Sequence, residues 1–326
     1  MFTLPRRAIL GAFAATTLVA ATPAFAEEVL KFAHVYETAT PYHEAALQVA
    51  EEFAKGTDGR YKIEVFPASQ LGKEAALNEG LSLGTVDMIY TGVAFLGQSY
   101  PPISISDYPF TLRDYNHWKA YANSNLFKEL AQSYTDVTGN HVVAMTYYGS
   151  RQVTANKPIL TPADMEGLKI RTPNAPAYQM FPEVTGANPT PMAFSEVYLA
   201  LQQGVVDAQE NPLPTIQFKK FYEVQSNINL TSHITNSLVT LISPATVAKL
   251  SNKDLETLKE AIRYGAEWAS NEIVESEASL ADWFREQGVT VNEVDRAPFI
   301  AAVSPALTGS DVPWDAEVYE RLQAIK

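Results

Sequence analysis

Cysteine is absent from all 326 residues. Disulfides, thiol nucleophiles and cysteine-ligated zinc are therefore excluded, and the fold must rest on core burial alone. Beyond the first two dozen residues, no apolar run approaches the roughly eighteen residues that span a bilayer. Positive charge is also scarce: 24 Lys and Arg face 37 Asp and Glu, for a net charge of −13. Nucleic acid and anionic membrane surfaces are poor partners for such a chain. Any anion it binds must be met in a local positive pocket. The five histidines, His34, His43, His117, His141 and His233, show no metal-ligand spacing, so no metal is expected. No G-x-S-x-G elbow, P-loop or dinucleotide fingerprint occurs, so neither a catalytic residue nor a cofactor is expected. A pair of carboxylates facing each other across a cleft, as in a glycosidase, would leave no mark in sequence, and nothing here marks one.

What is present begins with an export leader. Arg6 and Arg7 precede an apolar stretch from Ala8 to Ala21, and Ala24-Phe25-Ala26 forms an A-x-A site before Glu27. Residues 1–26 read as a signal peptide cleaved after Ala26. The context Ala8-Ile9-Leu10 fits the twin-arginine route poorly, which favours general secretion. The remaining 300 or so residues are enough to bury about three quarters of their surface and to form two domains.

Helical and strand periods alternate along the chain. Leu30 to Val35 reads as a strand, and Pro41 opens a helix with Ala46, Leu47, Ala50, Phe53 and Ala54 on one face. A strand at Tyr61, Ile63 and Val65, a helix between Gly72 and Gly84, and a strand from Val86 to Tyr90 follow. This β-α-β-α-β order argues for a mainly parallel sheet. Residues 92–109 are loop-rich, and Asp114 caps a helix running to Tyr134. Later strands are expected at residues 141–148, 205–209, 224–230 and 238–242, and a long helix from Ser251 to Gln287. Chain crossings between two α/β lobes fit near Tyr148–Gly149 and near Thr235–Leu238. A cleft between such lobes is a favoured place for a small ligand.

Arg151, Arg171 and Asn211 each follow an apolar strand and precede a turn or proline. Two guanidiniums and an amide offer donors, which is what an ionised carboxylate accepts. A guanidinium at the end of a buried strand needs a planar anion, gripped through two parallel bonds. For Arg171 that anion is either a distant Asp or Glu of this chain or a ligand, and the sequence leaves both open. Phe194 is either a cleft wall or a staple at a helix entry.

Several segments together resemble a known family. These are FPASQLGKE (66–74), GSRQVTANKPI (149–159), ADMEGLKIRTPNA (163–175), NPTPMAFSEVYLALQQGVVDAQENPL (188–213), KKFYEVQ (219–225) and FREQGV (284–289). The chain resembles the solute-binding proteins of tripartite ATP-independent periplasmic (TRAP) transporters, nearest to the sialic acid-binding branch. The resemblance implies a non-enzymatic periplasmic monomer that passes a small organic or sugar acid to the membrane subunits of a TRAP transporter. It implies a two-lobed α/β fold of the type II-like periplasmic binding class, with a cleft and a long helix spanning both lobes. Residues 27–148 with 237–276 would form the first lobe, and 149–236 with 277–326 the second. It further implies that Arg171 clamps a ligand carboxylate, that Arg151 and Asn211 assist, and that Phe194 packs on the ligand.

The first lobe departs from the sialic acid pattern. His34-Val35-Tyr36 stands where that branch has an asparagine, and Tyr90-Thr91-Gly92 where it has a glutamate. His34, Tyr36, Tyr90, Thr91, Tyr147 and Tyr148 combine aromatic faces with hydroxyl and imidazole groups, a mixture suited to a sugar ring. Glu74 is either an acceptor for sugar hydroxyls or a solvated acid at a helix start. A hexuronate such as glucuronate or galacturonate is expected first, then a sialic acid, then a C4-dicarboxylate.

Overall fold

The computed structural model describes residue 2, residues 28–309 and residues 312–326; the rest of the expected leader and its cleavage site lie outside them. The chain opens as expected, with β1 (Glu28–Ala33), α1 (Pro41–Gly56), β2 (Tyr61–Phe66), α2 (Glu74–Ser82) and β3 (Met88–Gly92). The Thr40 hydroxyl accepts the His43 N–H at the start of α1, and Pro41 sits at its first turn. The buried stripe of α1 is Ala45, Ala46, Val49 and Phe53, whereas Leu47 is exposed. That rotation has a packing cause. Gly265 of a later helix lies so close that a Cβ there would come within 2.9 Å of Val49.

After α3 (Val93–Leu96), the single helix expected from Asp114 to Tyr134 is two: α4 (Tyr115–Ala122) and α5 (Asn125–Thr138). Ser124 breaks them, because its hydroxyl accepts the Phe127 N–H and caps α5. Next come β4 (His141–Ala155), β5 (Lys169–Thr172), α6 (Pro176–Val184), β6 (Asn188–Pro191), α7 (Val197–Gln202), β7 (Ala208–Pro212) and α8 (Leu213–Phe218). The two strands expected at 224–230 and 238–242 are one, β8 (Asn227–Ile242). The chain ends in α9 (Pro244–Lys249), α10 (Asn252–Glu286), β9 (Thr290–Glu293), α11 (Ala297–Leu307) and α12 (Ala316–Ala324).

The strands run in the order β2-β1-β3-β8-β4-β7-β5-β6, with β9 also on β8. β1 is parallel to β2 and β3, and β5 is parallel to β6 and β7. Between these parallel groups lie β4 and β8, antiparallel to each other and long enough to serve both. Residues 141–147 of β4 pair with 237–242 of β8, which carries β3 on its other side. Beyond a register shift at Tyr147/Gly149, β4 pairs with β7 from Arg151 to Ala155. Gly149 has a φ of +115°, which L side chains rarely adopt. The 35 residues of α10 extend about 52 Å at 1.5 Å each. They pack on α1 and β4, then on α8 and β9, so one helix backs both ends of the sheet. A small second core gathers around Ile216, Phe221, Leu280 and Phe284.

Candidate functional site

Where the two parallel groups face each other, a cavity is lined by Tyr36, Glu74 and Gly92 on one side. Arg151, Arg171, Phe194 and Asn211 line the other, with Tyr148 between. About 330 Å³ lies between these walls, mouth included.

Arg171 is the last residue but one of the short strand β5, which Pro173 prevents from continuing. Its Nε and Nη2 both donate to the Met192 carbonyl, at 3.0 and 2.7 Å. Among the described residues no acid lies within ion-pair distance of it, and its Nη1 has no partner. Burial pulls the guanidinium down to about 10, Glu210 acts in the opposite sense and Arg151 adds to the lowering. It remains charged at neutral pH and short of a counter-anion.

Arg151 differs. Its guanidinium pairs with Glu210 through Nε and through Nη2 at 2.7 Å, while Nη1 donates to Asn236 Oδ1 at 2.7 Å. Burial opposes its charge, but Glu210 more than offsets this and holds it above the ordinary value. Burial likewise works against the Glu210 carboxylate, and Arg151 and His233 nonetheless keep it below the usual range. His233 Nε2 lies 3.2 Å from Glu210 Oε2. The Tyr178 ring lies 4.7 Å from the Arg151 guanidinium carbon, and its hydroxyl donates to Asp107 at 2.9 Å. Neither Glu210 nor Tyr178 is among the candidates from sequence. The signal for Glu210 was its place beside Asn211 on a strand paired with β4, a register visible only in the sheet.

Asn211 reaches the cavity with its Nδ2 donating to Gln209 Oε1 at 2.6 Å. The Phe194 ring lies 6.1 Å from that of Tyr36 and has Lys219 Nζ 5.1 Å from its centre. Tyr148 stacks obliquely on Tyr36 at 5.6 Å, and burial pushes its hydroxyl up to about 12. Glu74 starts α2 but turns inward, and its carboxylate accepts the Gly92 N–H at 3.0 Å and the Thr91 hydroxyl at 3.2 Å. Burial raises it above the usual carboxylate range, while Gly92, Thr91, Arg171 and Arg151 act the other way.

Three other candidates, His34, Tyr90 and Thr91, lie outside the cavity's lining. His34 Nδ1 accepts the Tyr36 N–H at 3.2 Å, and Thr91 holds Glu74. Tyr90 packs in the core with its ring 4.7 Å from Phe32. Alternation along β3 sends the two neighbours to opposite faces, Tyr90 into the core and Thr91 onto Glu74. Tyr147, also named from sequence, donates its hydroxyl to Glu277 at 2.8 Å and points away. Among the described residues no cluster of His, Asp or Glu could hold a metal.

Comparison with known proteins agrees with this architecture. Residues 32–310 match the family of bacterial extracellular solute-binding proteins, family 7. A solute-binding protein of Roseobacter denitrificans is 36% identical over 300 residues, covering 91% of this chain and 92% of that one. The sialic acid-binding periplasmic protein SiaP of Vibrio cholerae is 32% identical over 309 residues, covering 95% and 96%. Among solved structures, a TRAP periplasmic solute-binding protein from Polaromonas bound to D-erythronate has a TM-score of 0.88 at 34% identity, covering 92% of this chain and 99% of that chain. One from Roseobacter denitrificans with bound L-galactonate has a TM-score of 0.86 at 35% identity, covering 92% and 98%. One from Xanthobacter autotrophicus with β-D-galacturonate has a TM-score of 0.85 at 27% identity, covering 91% and 100%. A match this complete, on a two-ended sheet backed by one long helix, makes this chain a member of bacterial extracellular solute-binding protein family 7, the non-enzymatic periplasmic binding proteins of TRAP transporters.

Proposed function

We propose that this protein captures a six-carbon sugar acid bearing one carboxylate, a hexuronate such as glucuronate or galacturonate in first place, and delivers it to TRAP membrane subunits. One observation carries the reading: a charged guanidinium lacking a counter-anion, Arg171, and a carboxyl group, Glu74, line the same small cavity. Arg171 takes the ligand carboxylate, with Asn211 beside it. Arg151 supports the clamp from its own pairing with Glu210. Phe194, Tyr36 and Tyr148 cover the apolar faces of the sugar, and Glu74 accepts from its hydroxyls. A C4-dicarboxylate fits less well, because its second carboxylate would meet Glu74.

The lobes in this reading are residues 27–148 with 237–276, and 149–236 with 277–326, hinged at the register shift of β4 and closing on the ligand. Open-chain aldonates are the second reading, supported by L-galactonate and D-erythronate in relatives of higher identity than the galacturonate-bound one. A thermal-shift screen followed by calorimetry tests both against sialic acids and dicarboxylates. Binding of the folded state raises the melting temperature with occupancy, and micromolar affinity corresponds to about 8 kcal/mol. Stabilisation by galacturonate or glucuronate is expected. Response to succinate or malate but to no sugar acid would overturn the proposal.

A further inference from the structure

Far along β4 from Arg151, the sheet has an open edge. Residues 141–147 of β4 pair with β8 on one side only, since β7 joins β4 from Arg151 onward. On the open side the Tyr147 N–H donates to Ser270 Oγ at 2.9 Å. Alternation along the strand points the Met145 N–H and C=O to that same side. They thus face away from β8, and among the described residues no hydrogen bond reaches them from outside the sheet.

These groups open on a groove of about 1740 Å³, mouth included, flanked by α4 and α5 on one side and α10 on the other. Trp118, Phe127 and Ala266 give it apolar walls. Its rims are cationic, with Lys119 and Lys128 on one and Lys259 and Arg263 on the other, against one lining acid, Glu267. Lys259 pairs with Glu256 at 2.7 Å, whereas Lys119, Lys128 and Arg263 form no ion pair among the described residues. In a chain of net charge −13, four cations around one groove run against the overall field.

We propose that this groove receives an extended acidic segment of a partner protein, laid as an added strand against Met145 with its carboxylates between the four cations. Unpaired strand edges template such additions, and alternate side chains of the guest face the two walls. The bulge at Val143 limits the pairing to a short stretch centred on Met145. A small anion would use the cations but would have no use for the strand edge.

The test uses the protein labelled with ¹⁵N at methionine and an acetylated, amidated hexapeptide of alternating Glu and Val. A peptide of equal charge with Pro in place of Val is the control, since Pro cannot donate to a ladder. The alternating peptide should shift the Met145 amide resonance, identified through Met145→Leu, and bind at least tenfold more tightly than the proline peptide. The double variant Lys128→Glu with Arg263→Glu, both on the exposed rim, should weaken it by about tenfold. An unshifted Met145 amide would overturn the proposal. So would equal binding of the two peptides, which marks a simple anion site, or loss of the effect into self-association of the protein at that edge.

Discussion

Two arginines that look alike in sequence have different neighbours in the fold, and the difference sets what each can do. In sequence Arg151 and Arg171 both read as guanidiniums at the ends of apolar strands and needing an anion, but β4 runs on to Ala155, so Arg151 lies inside its strand while Arg171 lies one residue before the end of β5. Arg151 finds Glu210 inside the chain, whereas Arg171 finds only the Met192 carbonyl. Sequence spacing carries the residue type, but neither how far β4 runs nor the partner across the sheet. Arg171→Lys should therefore weaken sugar-acid binding by about 30- to 100-fold in calorimetry, because an ammonium cannot reproduce the fork. Melting temperature without ligand should barely fall. Glu210→Ala should act the other way round. Removing one partner of a buried pair leaves Arg151 uncompensated and costs about 3–5 kcal/mol of unfolding free energy in urea titrations. A loss below about 1 kcal/mol would remove Glu210 from that role.

Among the elements, those with strong periodicity and caps were legible. The succession β1 to β3 and the helix α10, capped by Ser251, lie where apolar spacing places them. The fusion of two strands into β8 was hidden because it depends on pairing with distant segments, whereas the break at Ser124 rests on a local cap that the apolar spacing alone does not reveal. Gly149 marks the change of direction in β4. A Cβ there would lie 2.6 Å from Pro212 Cβ and 2.7 Å from Glu277 Oε1, at a φ that strains any L residue. Gly149→Ala should lower stability by about 1–3 kcal/mol and alter ligand affinity, measured by denaturation and calorimetry on one sample. Glu277, on α10, accepts the Ser150 N–H at 2.7 Å and the Tyr147 hydroxyl at 2.8 Å. Burial raises its carboxyl to about 7, the two hydrogen bonds acting against this. Because its folded value lies above the unfolded one of about 4.3, the native state holds a proton that the unfolded chain has lost between these values. Stability should thus fall as pH rises from about 5 to 7. Asp107, raised to about 6 by burial, has the same sign. Glu277→Gln should flatten much of that slope in denaturation curves at pH 5, 6 and 7.5; an unchanged slope would refute the assignment.

At the scale of the whole molecule, side chains from the proposed lobes meet across the cleft. Lys73 pairs with Glu196 at 2.5 Å and Lys219 with Glu37 at 2.6 Å, and Gln98 donates to the Asn174 carbonyl at 3.1 Å. The first pair is solvent-exposed and should matter little, while Lys219 is 14% exposed and also covers Phe194. Glu37→Ala should weaken ligand binding more than Lys73→Ala does. X-ray scattering should show the radius of gyration shrinking when ligand is added, and less so in Glu37→Ala; no change in the parent protein would refute hinge closure. By itself the sequence determined the α/β class, the alternation of helices and strands and the family resemblance, and it marked Arg151 and Arg171 as guanidiniums in need of an anion. These follow from composition, local periodicity and motif, which are properties of neighbouring residues. Only the tertiary structure decided which arginine is already neutralised, which of the candidates between His34 and Thr91 line the cavity and where the sheet is left open. Those depend on strand register and on which face each side chain takes, and both are set by pairing between segments far apart in the chain.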